Sequence, residues 1–153
     1  LSVPSFLTDS VLNTPDSEAF DGDMVPGAPM DDAPVEIDGQ PAWLIDQLGG
    51  RFQALYFCDD AGAIPQAMQL QLRALGDAAI AVEPLVIARK AGDCGLKVAV
   101  DKEGLAFERY DAKHGTLYLA RPDQHVAARW REPEVSRIVA AVARATANFA
   151  QEQ

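Results

Sequence analysis

The two cysteines are the side chains of this sequence with the strongest nucleophilic chemistry, and they lie far apart at Cys58 and Cys94. Asp59 and Asp60 follow Cys58 directly. Neighbouring carboxylates disfavour the thiolate, which is the reactive form of cysteine. We therefore interpret Cys58 as a small, buried apolar residue at the end of a strand. Glycines close to Cys94 on both sides place it in a loop, where its thiol could be exposed.

The two histidines lie away from both cysteines, so no zinc-ligand spacing is present. His125 opens a predicted strand and is interpreted as a surface or hydrogen-bonded histidine rather than a general base. His114 is expected at a helix end. The paired acids at 31–32 and 59–60 lack the spaced oxygen ligands of a calcium loop, and no glycine-rich phosphate loop occurs. The sequence therefore predicts no catalytic, cofactor-binding or metal-ligating residue.

Three arginines, Arg121, Arg129 and Arg131, form a basic cluster around a predicted hairpin. Most clusters of this kind are solvated faces or internal ion pairs. We expect this one to meet either the acidic N-terminal segment of the chain or a partner subunit.

The N-terminal segment holds nine Asp or Glu residues and no Lys or Arg within residues 1–40, although the whole chain has 13 bases against 23 acids. Six of the ten prolines lie in the first 41 residues. Proline lacks a backbone N–H and fixes φ, so it interrupts helices and sheets. We predict an extended, acidic, proline-rich linker over residues 1–40 and a compact domain over residues 41–150.

The formal net charge of −10 disfavours binding to nucleic acid or to an anionic membrane. No apolar run approaches the ~20 residues that span a bilayer. Two cysteines in 153 residues favour a reducing compartment, so we expect a cytoplasmic protein. The chain begins with Leu1 rather than methionine, which suggests a processed product or a fragment of a longer protein.

Apolar runs bounded by turn residues predict the elements that must position these side chains. A short helix over 43–49 precedes a strand at 52–58, and a helix begins after Pro65. The remaining predicted elements are a strand at 84–88, an added strand or extended stretch at 96–100, a helix from Lys102, hairpin strands at 116–120 and 125–129, and a helix from Pro133.

A parallel strand–helix–strand unit followed by a hairpin and a terminal helix is the layout of the thioredoxin fold. Redox proteins of that fold place two cysteines, two residues apart, where the first strand meets the first helix, and a proline just before the third strand. Here the first position reads FCDDAGAIPQ and the second reads AKHGTLYL. We predict an α/β, thioredoxin-like fold that lacks the redox dithiol and follows an extended N-terminal segment.

Three stretches resemble the class A flavoprotein aromatic hydroxylases: LYLARPDQHVAARW at 117–130, VPGAPMDDAPV at 25–35 and WLIDQLGGRFQALYF at 43–57. The first is similar to the closing signature of that family. The second is similar to the Pro-Gly stretch that leads out of its catalytic core, and the third resembles the opening of its C-terminal domain. Within the family, the sequence looks most like the 3-(3-hydroxyphenyl)propionate hydroxylases and related phenol hydroxylases.

The resemblance implies that this chain is the C-terminal, thioredoxin-like domain of an enzyme that hydroxylates aromatic rings with FAD, NAD(P)H and dioxygen. Such a domain would pack against the catalytic domains of the same parent chain and support homo-oligomerisation. The flavin and dinucleotide motifs of the family are absent from these residues. No catalytic or cofactor-binding residue of the family can therefore be assigned to this chain. The residues that match a family motif are Arg121, Pro122 and Asp123, which form a structural turn signature.

Two alternatives stay open from the sequence. One is a stand-alone thioredoxin-like redox protein or peroxidase that uses Cys58 alone. The other is a small binding module that uses the hairpin and the cluster of Arg121, Arg129 and Arg131.

Overall fold

A computed structural model describes residues 13–152, with side chains through residue 146. The described strands form one sheet in the order β2-β1-β5-β4-β3-β6-β7. The strands are β1 (Pro34–Ile37), β2 (Gln40–Trp43), β3 (Phe52–Asp60), β4 (Val82–Lys90), β5 (Val98–Val100), β6 (Leu117–Ala120) and β7 (Val126–Trp130). The helices are α1 (Gln66–Ala74), α2 (Leu105–Arg109) and α3 (Val135–Glu152).

The predicted strand–helix–strand unit is present as β3, α1 and β4. β3 pairs with β4 in parallel over eight residue pairs and is buried along most of its length, as expected for a central strand. β6 and β7 form the predicted antiparallel hairpin, and α3 follows it. Among the helices of residues 13–152, none is long and apolar enough to cross a bilayer.

β1 and β2 form a hairpin that the sequence analysis did not predict, and this hairpin spans position 40, where the linker was expected to end. Its turn, Asp38-Gly39, has positive φ at both residues, 52° and 78°. Pro34 opens β1 and Pro41 lies in the edge strand β2, two places where a sheet tolerates proline. The expectation that residues 34–40 stay outside the sheet is therefore wrong.

Each face of the sheet carries a hydrophobic core. One core lies beneath α1 and α3 and contains Cys58, Leu72, Trp130 and Ile138. The other core is covered by α2 and by residues 13–33, which we call the strap. The strap has no helix and runs across the sheet from the outer edge of β7, where the Thr14 N–H bonds to the Ala127 carbonyl, toward β1.

Candidate functional site

The contact between the strap and β7 centres on Arg129, whose side chain is only 2% exposed. Its Nε lies 3.1 Å from both carboxylate oxygens of Asp16, and its Nη2 donates to one of them at 2.8 Å. Burial disfavours the charge of Arg129, but the hydrogen bonds with Asp16 and Tyr118 outweigh that effect and raise its pKa. Arg129 is therefore a permanent buried cation that depends on the strap for its counter-charge.

Arg131 holds the next part of the strap. Its guanidinium donates to the Asp111 carboxylate and the Asp111 carbonyl, both at 2.6 Å, and its backbone N–H donates to Glu18 at 3.0 Å. The ring of Phe20 lies against both guanidinium groups, 4.4 Å from Arg129 and 3.8 Å from Arg131. This arrangement combines charge pairing with cation–π contacts.

Two buried tyrosines extend the contact toward the other end of the strap. Tyr118 donates its hydroxyl hydrogen to the Tyr110 carbonyl, and Tyr110 donates to the Asp31 carbonyl at 2.6 Å. The two rings pack edge to face. Burial raises the pKa of Tyr118 to about 12 and also raises that of Tyr110, so both hydroxyls stay neutral donors at physiological pH. Their role in this arrangement is to bind the strap.

The Arg121-Pro122-Asp123 signature forms the β6–β7 turn. The Gln124 N–H bonds to the Arg121 carbonyl, and Gln124 takes a left-handed conformation with φ of 63°. Nη2 of Arg121 donates to the Asp123 carboxylate at 2.6 Å. The side-chain amide of Gln124 bonds to the carbonyls of Ile45 and Leu48. The turn is thereby tied to the segment that leads into β3.

The three arginines of the sequence cluster have different partners in the structure. Arg129 and Arg131 contact the acidic strap, which confirms that part of the expectation. Arg121 pairs within its own turn. Because Arg121 and Arg129 are buried, these arginines form ion pairs inside the domain rather than an open basic surface.

Cys58 is fully buried, as predicted. Burial, the largest cause, raises the pKa of its thiol to about 12 together with the nearby Cys94, Asp59 and Asp60. Cys94 lies in a loop, but its residue is only 4% exposed because it joins the core beneath α1 and α3. An exposed Cys94 thiol was therefore a wrong expectation. Both cysteines are free thiols.

We expect Cys58 in a Cys94→Ser variant to react with a thiol reagent at least ~100-fold more slowly than free cysteine at pH 7, because it is buried and protonated. The measurement is the labelling rate of the folded chain, with the urea-unfolded chain as the control. Labelling faster than that of free cysteine would restore the redox alternative.

The histidines hold no metal site: no cluster of three or more potential ligands occurs within the described residues. His114 lies in the loop between α2 and β6 rather than at a helix end, since α2 ends five residues earlier at Arg109. Nδ1 of His114 accepts a hydrogen bond from the Asp59 N–H at 3.2 Å. Nδ1 of His125 lies 3.0 Å from the Asp123 carbonyl.

The lowered pKa of the Asp111 carboxyl makes the stability of the strap contact depend on pH. Burial alone would raise the pKa of its carboxyl, but hydrogen bonds from the Asp21 N–H and Arg131 outweigh that effect and lower it. A lowered folded-state pKa gives stability that is present above the unfolded pKa and is lost as pH falls through the folded value. We expect Asp111→Asn to be less stable than wild type at pH 7 and to lose less stability below about pH 4.

Urea unfolding of both chains across that pH range measures this effect, with the exposed Asp77→Asn as the matched control. Wild-type and Asp111→Asn curves that run parallel down to the lowest pH would contradict the assigned role.

No family model and no curated protein matches the sequence. Among solved structures, the flavin-dependent monooxygenase PieE, in complex with FAD and substrate, is similar to 92% of this chain with a TM-score of 0.63 and 22% identity. Aklavinone-11 hydroxylase, in complex with FAD and aklavinone, is similar to 89% of it with a TM-score of 0.64 and 19% identity.

This chain spans only 24% and 25% of the length of those two proteins. A thioredoxin-like protein from Bacteroides caccae matches 77% of this chain, and 49% of its own length is covered, with a TM-score of 0.56 and 15% identity. Likeness at this level of identity establishes the fold. The chain has a thioredoxin-like fold, as predicted, of a kind that also occurs within flavin-dependent monooxygenases.

Proposed function

We propose that this chain is a non-catalytic, C-terminal domain of an FAD- and NAD(P)H-dependent monooxygenase that hydroxylates aromatic rings. The finer assignment, to the 3-(3-hydroxyphenyl)propionate and phenol hydroxylase type, depends on the sequence motifs. Its role would be to pack against the catalytic domains of the same parent chain in the cytoplasm and to support homo-oligomerisation.

The observation that carries the proposal is the extent of the structural match. The two monooxygenases match 89–92% of the chain, against 83% for a reduced 2-Cys peroxiredoxin and 77% for the thioredoxin-like protein. The residues that the monooxygenase alignments leave out are fewer than those of the strap, so part of the strap is aligned as well. The inclusion of strap residues in the match supports the proposal.

The local chemistry argues against a redox role for the chain alone. Cys58 has a raised pKa and no exposed surface, whereas an attacking cysteine needs a lowered pKa and access to solvent. No observation favours the binding-module alternative, because Arg121 and Arg129 are buried in pairs within the domain.

The turn after β3 also does not fit a dinucleotide-phosphate site. Dinucleotide-binding folds place a glycine-rich loop between a strand and the following helix, where free N–H groups contact the phosphates. Here the turn after β3 is followed by Pro65, and the Asp60 carboxylate already accepts the Gly62 N–H at 2.8 Å. FAD and NAD(P)H would therefore be bound by other parts of the parent enzyme.

A denaturing immunoblot of the source cells, with an antibody raised against this chain, tests the proposal. We expect a band several times larger than the 16.4 kDa of this chain, and a yellow flavin spectrum for the purified product. A band at the size of the chain itself would overturn the proposal.

A further inference from the structure

The β1–β2 hairpin leaves one side of the sheet uncovered. The strand register pairs Pro34 with Trp43, Glu36 with Pro41, and Glu36 with Val100 of β5. Paired residues share a face of a sheet, so these five side chains form one continuous surface, which we call the hairpin face. Val35, Ile37 and Ala42 alternate with them and pack into the core beneath the strap.

The hairpin face lies on the same side of the sheet as α1 and α3, but the described parts of those helices do not reach it. None of the residues in the core beneath α1 and α3 comes from β1 or β2. Trp43 is 53% exposed and lines a shallow groove with the two prolines, Lys102 and Glu103. Tryptophan is enriched at protein interfaces and among the residues that contribute most to binding.

The outer edge of β2 is not suited to adding another strand. The Leu44 N–H bonds to the Ala33 carbonyl, so alternation directs the backbone groups of Pro41 and Trp43 away from β1. Pro41 has no N–H to offer, and the Trp43 carbonyl already accepts the Gln47 side chain at 3.2 Å. The hairpin face is therefore better suited to association at this end of the sheet than the strand edge is.

The distribution of charge on the two sides of the sheet favours a second copy of this chain as the partner of the hairpin face. The strap, on the other side of the sheet, has six acids and no base, whereas Glu36 of the hairpin face is paired with Lys102 at 3.0 Å. Two copies that each carry a net charge of −10 repel one another, so they approach most readily on the side of the sheet away from the acidic strap. Lys102 and the nearby Glu103 also let a two-fold arrangement place opposite charges together across the axis.

We propose that the hairpin face binds the same face of a second copy of this chain in a two-fold symmetric dimer. The proposal deepens the homo-oligomerisation suggested above by assigning it a surface, and it holds whether or not the parent is a flavoenzyme. Stable interfaces bury roughly 800 Å² per partner, more than three short strands offer, so we expect a weak dimer with a Kd of about 1–100 μM.

Analytical ultracentrifugation of the 153-residue chain, over about 1–300 μM, tests the proposal. We expect a monomer–dimer equilibrium that Trp43→Glu weakens by at least ~10-fold, because it places a charge at the centre of the interface. Leu70→Glu is the matched control, since Leu70 is 57% exposed on α1 and should leave the equilibrium unchanged.

Circular dichroism verifies that both variants fold, and Trp43→Ala gives a second, milder change at the same position. A chain that is monomeric throughout this range would overturn the proposal, and so would a folded Trp43→Glu variant that dimerises like wild type. These outcomes are independent of the immunoblot: a monomeric chain leaves the monooxygenase assignment standing, and a 16.4-kDa band leaves the dimer standing.

Discussion

Replacing Asp16 with alanine is expected to lower the free energy of unfolding by about 3–5 kcal/mol, the usual cost of leaving a buried charge without its partner. The side chain of Arg129 is 2% exposed and makes its charge-assisted hydrogen bonds with the Asp16 carboxylate. Without that carboxylate, the guanidinium stays in the protein interior with the Tyr118 hydroxyl as a weak partner at 3.5 Å. Urea unfolding measures the loss.

The matched control is Asp23→Ala, which removes an exposed acid from the same strap and should change the stability by less than about 0.5 kcal/mol. The double variant Asp16→Ala, Arg129→Met removes both charges, so it should be more stable than Asp16→Ala alone. If Asp16→Ala unfolds at the same urea concentration as Asp23→Ala, the ion pair does not hold the strap.

Deleting residues 1–33 is expected to prevent the remaining chain from folding as a stable monomer. The strap buries Met24 and Met30, each worth about 1.5–3 kcal/mol, in addition to the Asp16–Arg129 pair. Together these contributions approach the 5–15 kcal/mol by which a whole domain is usually stable. The deletion also exposes the aromatic core of Phe57, Phe107, Tyr110 and Tyr118, so aggregation should accompany the loss of structure.

Thermal unfolding followed by near-ultraviolet circular dichroism measures this loss, since that signal reports the packing of the aromatic rings. A synthetic peptide of residues 13–33, added in excess, should restore part of the signal if its contacts alone carry the effect. A deleted chain that melts cooperatively at the wild-type temperature would mean that the strap contributes little to the stability of the domain.

The central part of the fold could be predicted because its signals are local. The apolar run that forms β3, Pro65 before α1, and Pro122-Asp123 between β6 and β7 each specify an element from neighbouring residues alone. The fold class followed from their order. The absence of an activated thiol also followed, since Asp59 and Asp60 adjoin Cys58 in the sequence as well as in space.

The β1–β2 hairpin was missed although the sequence contains a signal for it. Asp38-Gly39 is a dipeptide that favours the tight hairpin turn, and its two positive φ values are those of that turn. Pro34 and Pro41 obscured the signal, because prolines were taken to exclude sheet structure. Their positions, at the start of β1 and on the edge of the sheet, are the places where that exclusion does not apply.

The strap contact could not have been found in detail from the sequence. An excess of acid in the N-terminal segment and three arginines near the hairpin predicted an attraction, but not which carboxylate would meet which guanidinium. Tyr118 faces Arg129 across the β6–β7 hairpin, so that contact follows from the strand pairing. Phe20 lies far away in the chain, and no spacing pattern links it to Arg129.

The distance in sequence between the two ends of the strap contact also sets the order of events during biosynthesis. Asp16 and Arg129 are separated by 113 residues, so the strap leaves the ribosome long before its binding site exists. At about 5–20 residues per second, the wait is roughly 6–23 s. During that time the core that buries Met24 and Met30 has not yet formed. Both side chains therefore stay exposed on the nascent chain, where chaperones that recognise short apolar segments can bind them. Closure of the strap is therefore a late event in the synthesis of this domain.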